Sequence, residues 1–187
     1  MRDANVGFTL IELLVTIAVA GIVVAIAVPS LTTFIQNTRQ TSEANSLVMA
    51  LDYARSEAIK EDANVEICAS TDGATCSGDA APGGWGTGWI VLTTVAPVTV
   101  LRVMPALGAN NTLSAAFNGN NVSQVTFQPN GFVQATGGAA QWFTTYFTLC
   151  DLRGATWARD VEITPIGAVQ SSATAGQNLA NAALACP

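Results

Sequence analysis

The chain has 187 residues, half of them hydrophobic and only 11% charged, a charge density awkward for a wholly soluble domain of this size. A net charge of −6 and a pI near 4.3 argue against general attraction to nucleic-acid phosphates or anionic lipid, which need clustered Lys and Arg. Histidine is absent, so the commonest general base and the commonest metal ligand are both missing.

From Phe8 to Val28 the sequence FTLIELLVTIAVAGIVVAIAV supplies about the 20 residues needed to cross a bilayer as a helix, with Glu12 its one charge. The preceding MRDANVG is too short and too weakly basic for a secretory n-region, and no A-x-A site follows the apolar run. The apolar segment is therefore expected to persist in the mature protein. After Pro29 the apolar residues thin out but a stripe recurs at helical spacing as Leu31, Phe34, Ile35, Thr38, Leu47, Val48, Leu51, Ala54, Ala58 and Ile59. Gln36, Arg39, Glu43, Asp52 and Glu57 take the other face. This pattern predicts one nearly continuous helix from Phe8 to about Glu61, roughly 80 Å long, bending at Gly21 and Pro29.

Beyond Asn64 the pattern changes to short β-prone runs: Val65 to Ala69, Trp89 to Thr94, Thr99 to Val103, Val125 to Gln128, Phe132 to Gln134, Phe143 to Cys150, Val161 to Thr164 and Ala168 to Gln170. These predict an antiparallel sheet domain against the amphipathic half of the helix. Pro129-Asn130-Gly131 is a turn signal, because proline presets one dihedral and glycine permits a positive one. Gly83-Gly84-Trp85-Gly86-Thr87-Gly88 precedes a strand and opens no helix, so it reads as a loop and not as a phosphate cradle. Trp85 and Trp89 beside it are expected in the core, with a subunit or ligand contact as the alternative. The tail after Ser171, rich in Ala, Asn, Ser and Gly, is expected to be loose unless Cys186 ties it back.

The four cysteines have no zinc-site spacing, and disulfides are the better reading. Three connectivities are open. Pairing Cys68 with Cys76 closes a short loop and Cys150 with Cys186 tethers the tail, so this pairing is preferred. Disulfides imply an oxidising compartment such as the periplasm or cell surface. No metal or other cofactor is expected.

Gly7-Phe8-Thr9-Leu10-Ile11-Glu12-Leu13, followed by an apolar run and a proline, resembles the N-terminal signature of type IV pilins and pseudopilins. The resemblance implies that a prepilin peptidase cuts after Gly7 and that Phe8, the new N-terminus, is N-methylated. It implies an α+β pilin-like fold: leader 1–7, membrane or filament-core helix 8–28, amphipathic helix 29–62 and β-rich head 63–187 in the periplasm. The implied partners are other pilin or pseudopilin subunits and an inner-membrane assembly platform, with Glu12 and Pro29 serving assembly. The physics of Glu12 stands independently. A charge at the bilayer centre costs roughly 2.5 to 3.5 kcal/mol or more, so such a residue has a partner, and the α-amine of Phe8 on a neighbouring subunit fits. Against this stands the plainer reading of an acidic residue snorkelling at the end of an ordinary anchor.

Further segments resemble the GspH and FimT/FimU-like group of minor pilins and pseudopilins: Tyr53 to Ala58, Gly88 to Val91, Phe127 to Gly131, Phe147 to Gly154, Ala158 to Ile163, and Gly167. DNA-uptake members of that group carry arginines directly after the glycine that corresponds to Gly167. Here Ala168, Val169 and Gln170 follow, so DNA contact through Arg153 and Arg159 is the lesser reading. Catalysis is more remote: only Lys60 remains as a base for a serine nucleophile, and no carboxylate pair stands out. The expected function is therefore a structural minor pilin that primes or caps a type IV pilus, with a type II secretion pseudopilin as the alternative.

Overall fold

The computed structural model describes residues 8–77, 84–108, 110–117, 119–135 and 144–186, and the chain divides into two units, Met1–Arg39 and Gln40–Pro187. Helix α1 runs from Leu10 to Glu61, 52 residues, with Pro29 inside it. Thr9 accepts the Glu12 N–H on its hydroxyl at 3.3 Å and the Leu13 N–H on its carbonyl at 3.2 Å, which makes Thr9 the N-cap. At the other end Asp62 turns left-handed at φ 48° and the Ala63 N–H returns to the Ala58 carbonyl at 3.2 Å, the pairing that stops a helix by satisfying its last carbonyls.

In the second unit α1 buries Ala44, Leu47, Ala50, Leu51, Ala54 and Ala58, a stripe at i, i+3, i+4 and i+7 spacing. Among the described residues ten strands follow: β1 Val65–Ala69, β2 Trp89–Thr93, β3 Val100–Met104, β4 Thr112–Phe117, β5 Asn120–Asn121, β6 Gln124–Phe127, β7 Val133–Ala135, β8 Thr145–Cys150, β9 Arg159–Ile163 and β10 Val169–Ser171. They form two five-stranded antiparallel sheets, ordered β3-β2-β1-β6-β7 and β10-β9-β8-β4-β5.

Strand alternation decides which side chains enter the core. Val65, Ile67, Val91, Val125 and Phe127 of the first sheet, and Leu113, Ala115, Phe147, Leu149, Val161 and Ile163 of the second, form one cluster with the helix stripe. Trp85 sits in a single 3₁₀ turn ahead of β2, fully buried. Its ring meets Phe147 edge-on at 5.0 Å and its indole N–H donates to the Val122 carbonyl at 2.8 Å. Both tryptophans are thus core residues, as expected, since Trp89 is buried too.

Three expectations need correction. Strands β4 and β5 were not expected, yet β4 pairs with β8 along six residues in the middle of its sheet. Glu43 does not belong to the solvated face: its carboxylate accepts the Gly108 N–H at 3.3 Å and the Asn111 amide at 2.6 Å, fastening the segment before β4. Leu31, Phe34, Ile35 and Ile59, placed on the packing stripe by periodicity, are exposed. The early part of the Phe143–Cys150 expectation, and Gly83, lie outside the described residues.

The structure joins Cys68 to Cys76 and Cys150 to Cys186, with Cα atoms 5.6 Å and 5.9 Å apart, and has no free thiol. Inside the first loop Asp72 accepts the Ala74 and Thr75 N–H groups, each at 2.8 Å, and these bonds hold its carboxyl well below the usual carboxylate range. The tail is pinned by its backbone, with Ser172 N–H on the Asp160 carbonyl, Gly176 N–H on the Ala158 carbonyl and Leu184 N–H on the Gly176 carbonyl. Changing Cys150 and Cys186 together to serine is expected to lower stability by roughly 2 to 4 kcal/mol, from the loop-closure entropy that the bridge removes from the unfolded chain. Thermal melts of the purified double variant test this, and an unchanged midpoint would mean that the tail's backbone bonds suffice.

Candidate assembly site

The apolar part of α1 is long and hydrophobic enough to cross a membrane, and none of its most apolar stretch is buried. Phe8 is 80% exposed, and Leu10, Ile11, Leu13, Leu14, Ile17, Ile22 and Ile26 all present their side chains outward. A continuous apolar surface of this extent on a helix needs lipid or protein to cover it. Thr9-Leu10-Ile11-Glu12 has the spacing of a capping box, in which the N-cap hydroxyl serves the N–H three residues on. Glu12 therefore sits in the first turn, where the helix dipole favours a negative charge. Any positive group brought to that helix end meets a carboxylate already in place.

Pro29 removes one backbone donor, yet the helix passes through it. Its carbonyl accepts the hydroxyls of Thr32 and Thr33 at 2.9 and 3.1 Å in addition to its helical role. Apart from the helix's own backbone, nothing among the described residues lies within 4 Å of where a Gly21 side chain would begin. Gly7, the proposed cleavage point, lies outside the described residues.

In the second unit Arg55, within the Tyr53 to Ala58 segment, holds a position to which the sequence assigned no role. From the last turns of α1 its Nε donates to the Gly131 carbonyl at 3.2 Å and its Nη2 to the Ile166 carbonyl at 3.0 Å. Gly131 belongs to the turn after β6, closed by its N–H on the Gln128 carbonyl at 2.8 Å, and Ile166 to the turn between β9 and β10, closed by Gly167 N–H on Thr164 at 2.8 Å. A third link joins the turns directly, Val133 N–H to the Pro165 carbonyl at 3.0 Å. One guanidinium thus ties the helix to a turn of each sheet through two backbone carbonyls. A pattern of one basic residue set beside a buried alanine stripe, with two glycine turns downstream, was visible but did not reveal this geometry.

The two arginines of the DNA reading lie apart in role. Arg153 is tied to Asp151, with Nε and Nη2 on the same carboxylate oxygen at 2.8 and 2.6 Å, donates to Gln40 at 3.3 Å and lies over the Trp157 ring at 4.5 Å. Arg159 directs Nη1 to the Ala173 carbonyl at 3.5 Å. Arg153 is thus engaged by a carboxylate, an amide and an aromatic face, whereas Arg159 makes one long bond through Nη1 and its Nε has no partner among the described residues. Among the described residues one trio of metal-ligand types comes together, Glu66 with Cys68 and Cys76, but both sulfurs are bonded to each other and offer no thiolate.

Comparison with known proteins agrees with these features. The family described as "Type II transport protein GspH" matches residues 43–167, and the "Prokaryotic N-terminal methylation motif" matches residues 7–28. The chain belongs to the GspH family of pilin-like proteins and carries the N-terminal methylation motif. Among solved structures it is similar to the type IV minor pilin FimU of Pseudomonas aeruginosa in two crystal forms. One is 24% identical, with 78% of this chain and 98% of that chain covered and a TM-score of 0.56. The other is 23% identical, with 74% and 98% covered and a TM-score of 0.50. The fold is that of the pilins: one long N-terminal helix and an antiparallel two-sheet head. No curated protein matches.

Proposed function

We propose that this chain is a structural minor pilin of a type IV pilus, which primes or caps filament assembly through its apolar N-terminal helix. The observation that carries this is the uncovered helix surface from Phe8 to Val28 with Glu12 in its first turn. Prepilin peptidase removes residues 1–7, and the mature chain begins at N-methylated Phe8. Before assembly residues 8–28 lie in the inner membrane, with the head in the periplasm. On assembly the same surface is covered by the helices of other pilin subunits, and Glu12 meets the Phe8 amine of a neighbour. Two disulfides suit a head that works outside the reducing cytoplasm.

A second reading, a minor pseudopilin of a type II secretion system, is favoured by the description of the matched family. Two measurements test these readings. Intact mass of the membrane-extracted protein is expected to give a chain starting at Phe8 with one added methyl group, and any other N-terminus would defeat the processing step. Deleting the gene is expected to abolish twitching while sparing export of secreted enzymes. Loss of export with normal twitching would select the pseudopilin.

A further inference from the structure

Beyond assembly, the second sheet carries a pair of carboxyls that no packing need explains. Asp160 and Glu162 are two residues apart on β9, so they leave one face of the strand while Val161 and Ile163 enter the core from the other. Asp160 is wholly buried and Glu162 nearly so. The described residues give neither oxygen of Asp160 a donor, and its neighbour is the Glu162 carboxyl, which can bond to it only if a proton stands between them.

The C-terminal segment is fastened at this pair. The Leu179 N–H donates to Glu162 Oε1 at 2.9 Å, and the Ser172 N–H donates to the Asp160 carbonyl at 3.0 Å. Residues 172–186 contain no Asp, Glu, Lys, Arg or Tyr. Across β8 the facing residues are Thr148 beside Asp160 and Tyr146 beside Glu162, and across β10 Gln170 faces Glu162. From α1, Thr41, Ala44 and Asn45 border the cavity that Asp160 shares, and none is ionisable. Among the described residues Arg159 borders the same cavity; its Nη1 donates to the Ala173 carbonyl at 3.5 Å, its buried Nε has no partner, and it makes no ion pair with either carboxyl.

We propose that Asp160 and Glu162 form a proton-held latch: a proton shared between the two carboxyls lets residues 172–186 lie on the sheet, and its loss releases that segment as far as its disulfide. Burial first, and then the Glu162 carboxyl, push Asp160 from the ordinary 3.8 up to about 8. The folded chain therefore holds a proton between pH of roughly 4 and 8 that the unfolded chain has lost. This contribution to stability is complete below the unfolded value and declines as pH rises, until it is gone above about 8. At that point two like charges share a site, and among the described residues neither has an ion-pair partner. The alanine-rich tail yields before the core because it buries little apolar surface. Alkaline surroundings thus change the face that the head offers to neighbouring subunits.

Hydrogen exchange of the full chain in detergent micelles between pH 6 and 9.5, corrected for base-catalysed exchange, tests the latch. Protection of the Ser172, Gly176 and Leu179 amides is expected to fall at least tenfold between pH 7 and 9, with the β8 amides unchanged. Asp160→Asn should keep the tail protected throughout. Glu162→Gln, which retains the oxygen that accepts Leu179, serves the same test should the first variant fold poorly. A flat wild-type profile, or an equal loss in a variant, would overturn the proposal. So would tail protection at pH 7 that requires millimolar calcium, because a cation and not a proton would then hold the pair.

Discussion

Replacing Gly167 by alanine is expected to destabilise the head by roughly 3 to 5 kcal/mol, a large part of the 5 to 15 kcal/mol that keeps an ordinary domain folded. Two effects add. Gly167 has φ +77°, a left-handed conformation that costs an L-residue roughly 1 to 2 kcal/mol. The new methyl would also overlap the Gly131 carbonyl oxygen and stand 2.8 Å from the Arg55 Nε. Neither neighbour can retreat freely, because Gly131 O is the acceptor of Arg55 and Gly131 sits in a closed turn. Moving either breaks a bond to a charged donor, worth about 1.5 to 3 kcal/mol. Gly119 is the control: its φ is +76°, but nothing lies within 4 Å of a Cβ built there. Alanine at 119 should carry only the conformational cost. Thermal or urea unfolding of the two variants separates strain from collision, and equal losses would remove the clasp from the account.

That clasp marks where sequence reading stopped. The helix was legible because its apolar run is long enough to span a bilayer and its later apolar residues recur at helical spacing; the Thr9 cap on the Glu12 N–H emerged only in the structure. β1 was legible as VEICA, with isoleucine and valine marking its core side. β4 was not, since TLSAAF has one β-branched residue and two alanines, and its place is fixed by pairing with β8 and by Leu113, Ala115 and Phe117 reaching the core. Strand propensity describes fit to a neighbour, and the neighbour here is β8, distant in the chain. The same limit hid the latch: Asp160-Val161-Glu162 reads as a charged, solvent-facing alternation, and only the returning tail makes its acidic side an interior. Arg55 is the third instance, because both of its acceptors are backbone carbonyls, which no residue type announces.

Glu12→Ala is expected to leave membrane insertion intact and to reduce incorporation into filaments by tenfold or more. Insertion should if anything improve, since a carboxylate within the apolar run costs roughly 2.5 to 3.5 kcal/mol at mid-bilayer. Incorporation should fall because the neighbour's Phe8 ammonium then enters the filament core without a counter-charge, and each 1.4 kcal/mol of lost pairing is a factor of ten. The helix start complicates this reading, because Glu12 also lies in the turn capped by Thr9. Two further variants resolve it. Glu12→Gln keeps the length and hydrogen-bonding capacity but not the charge, and should be as defective as alanine. Thr9→Ala removes the capping hydroxyl, worth about 1 kcal/mol at a helix end, and should assemble nearly as wild type. Scoring membrane-inserted and filament-borne protein in the same cells gives both quantities. Normal filaments from Glu12→Gln would show that shape and capping, not charge neutralisation, are what position 12 contributes to assembly.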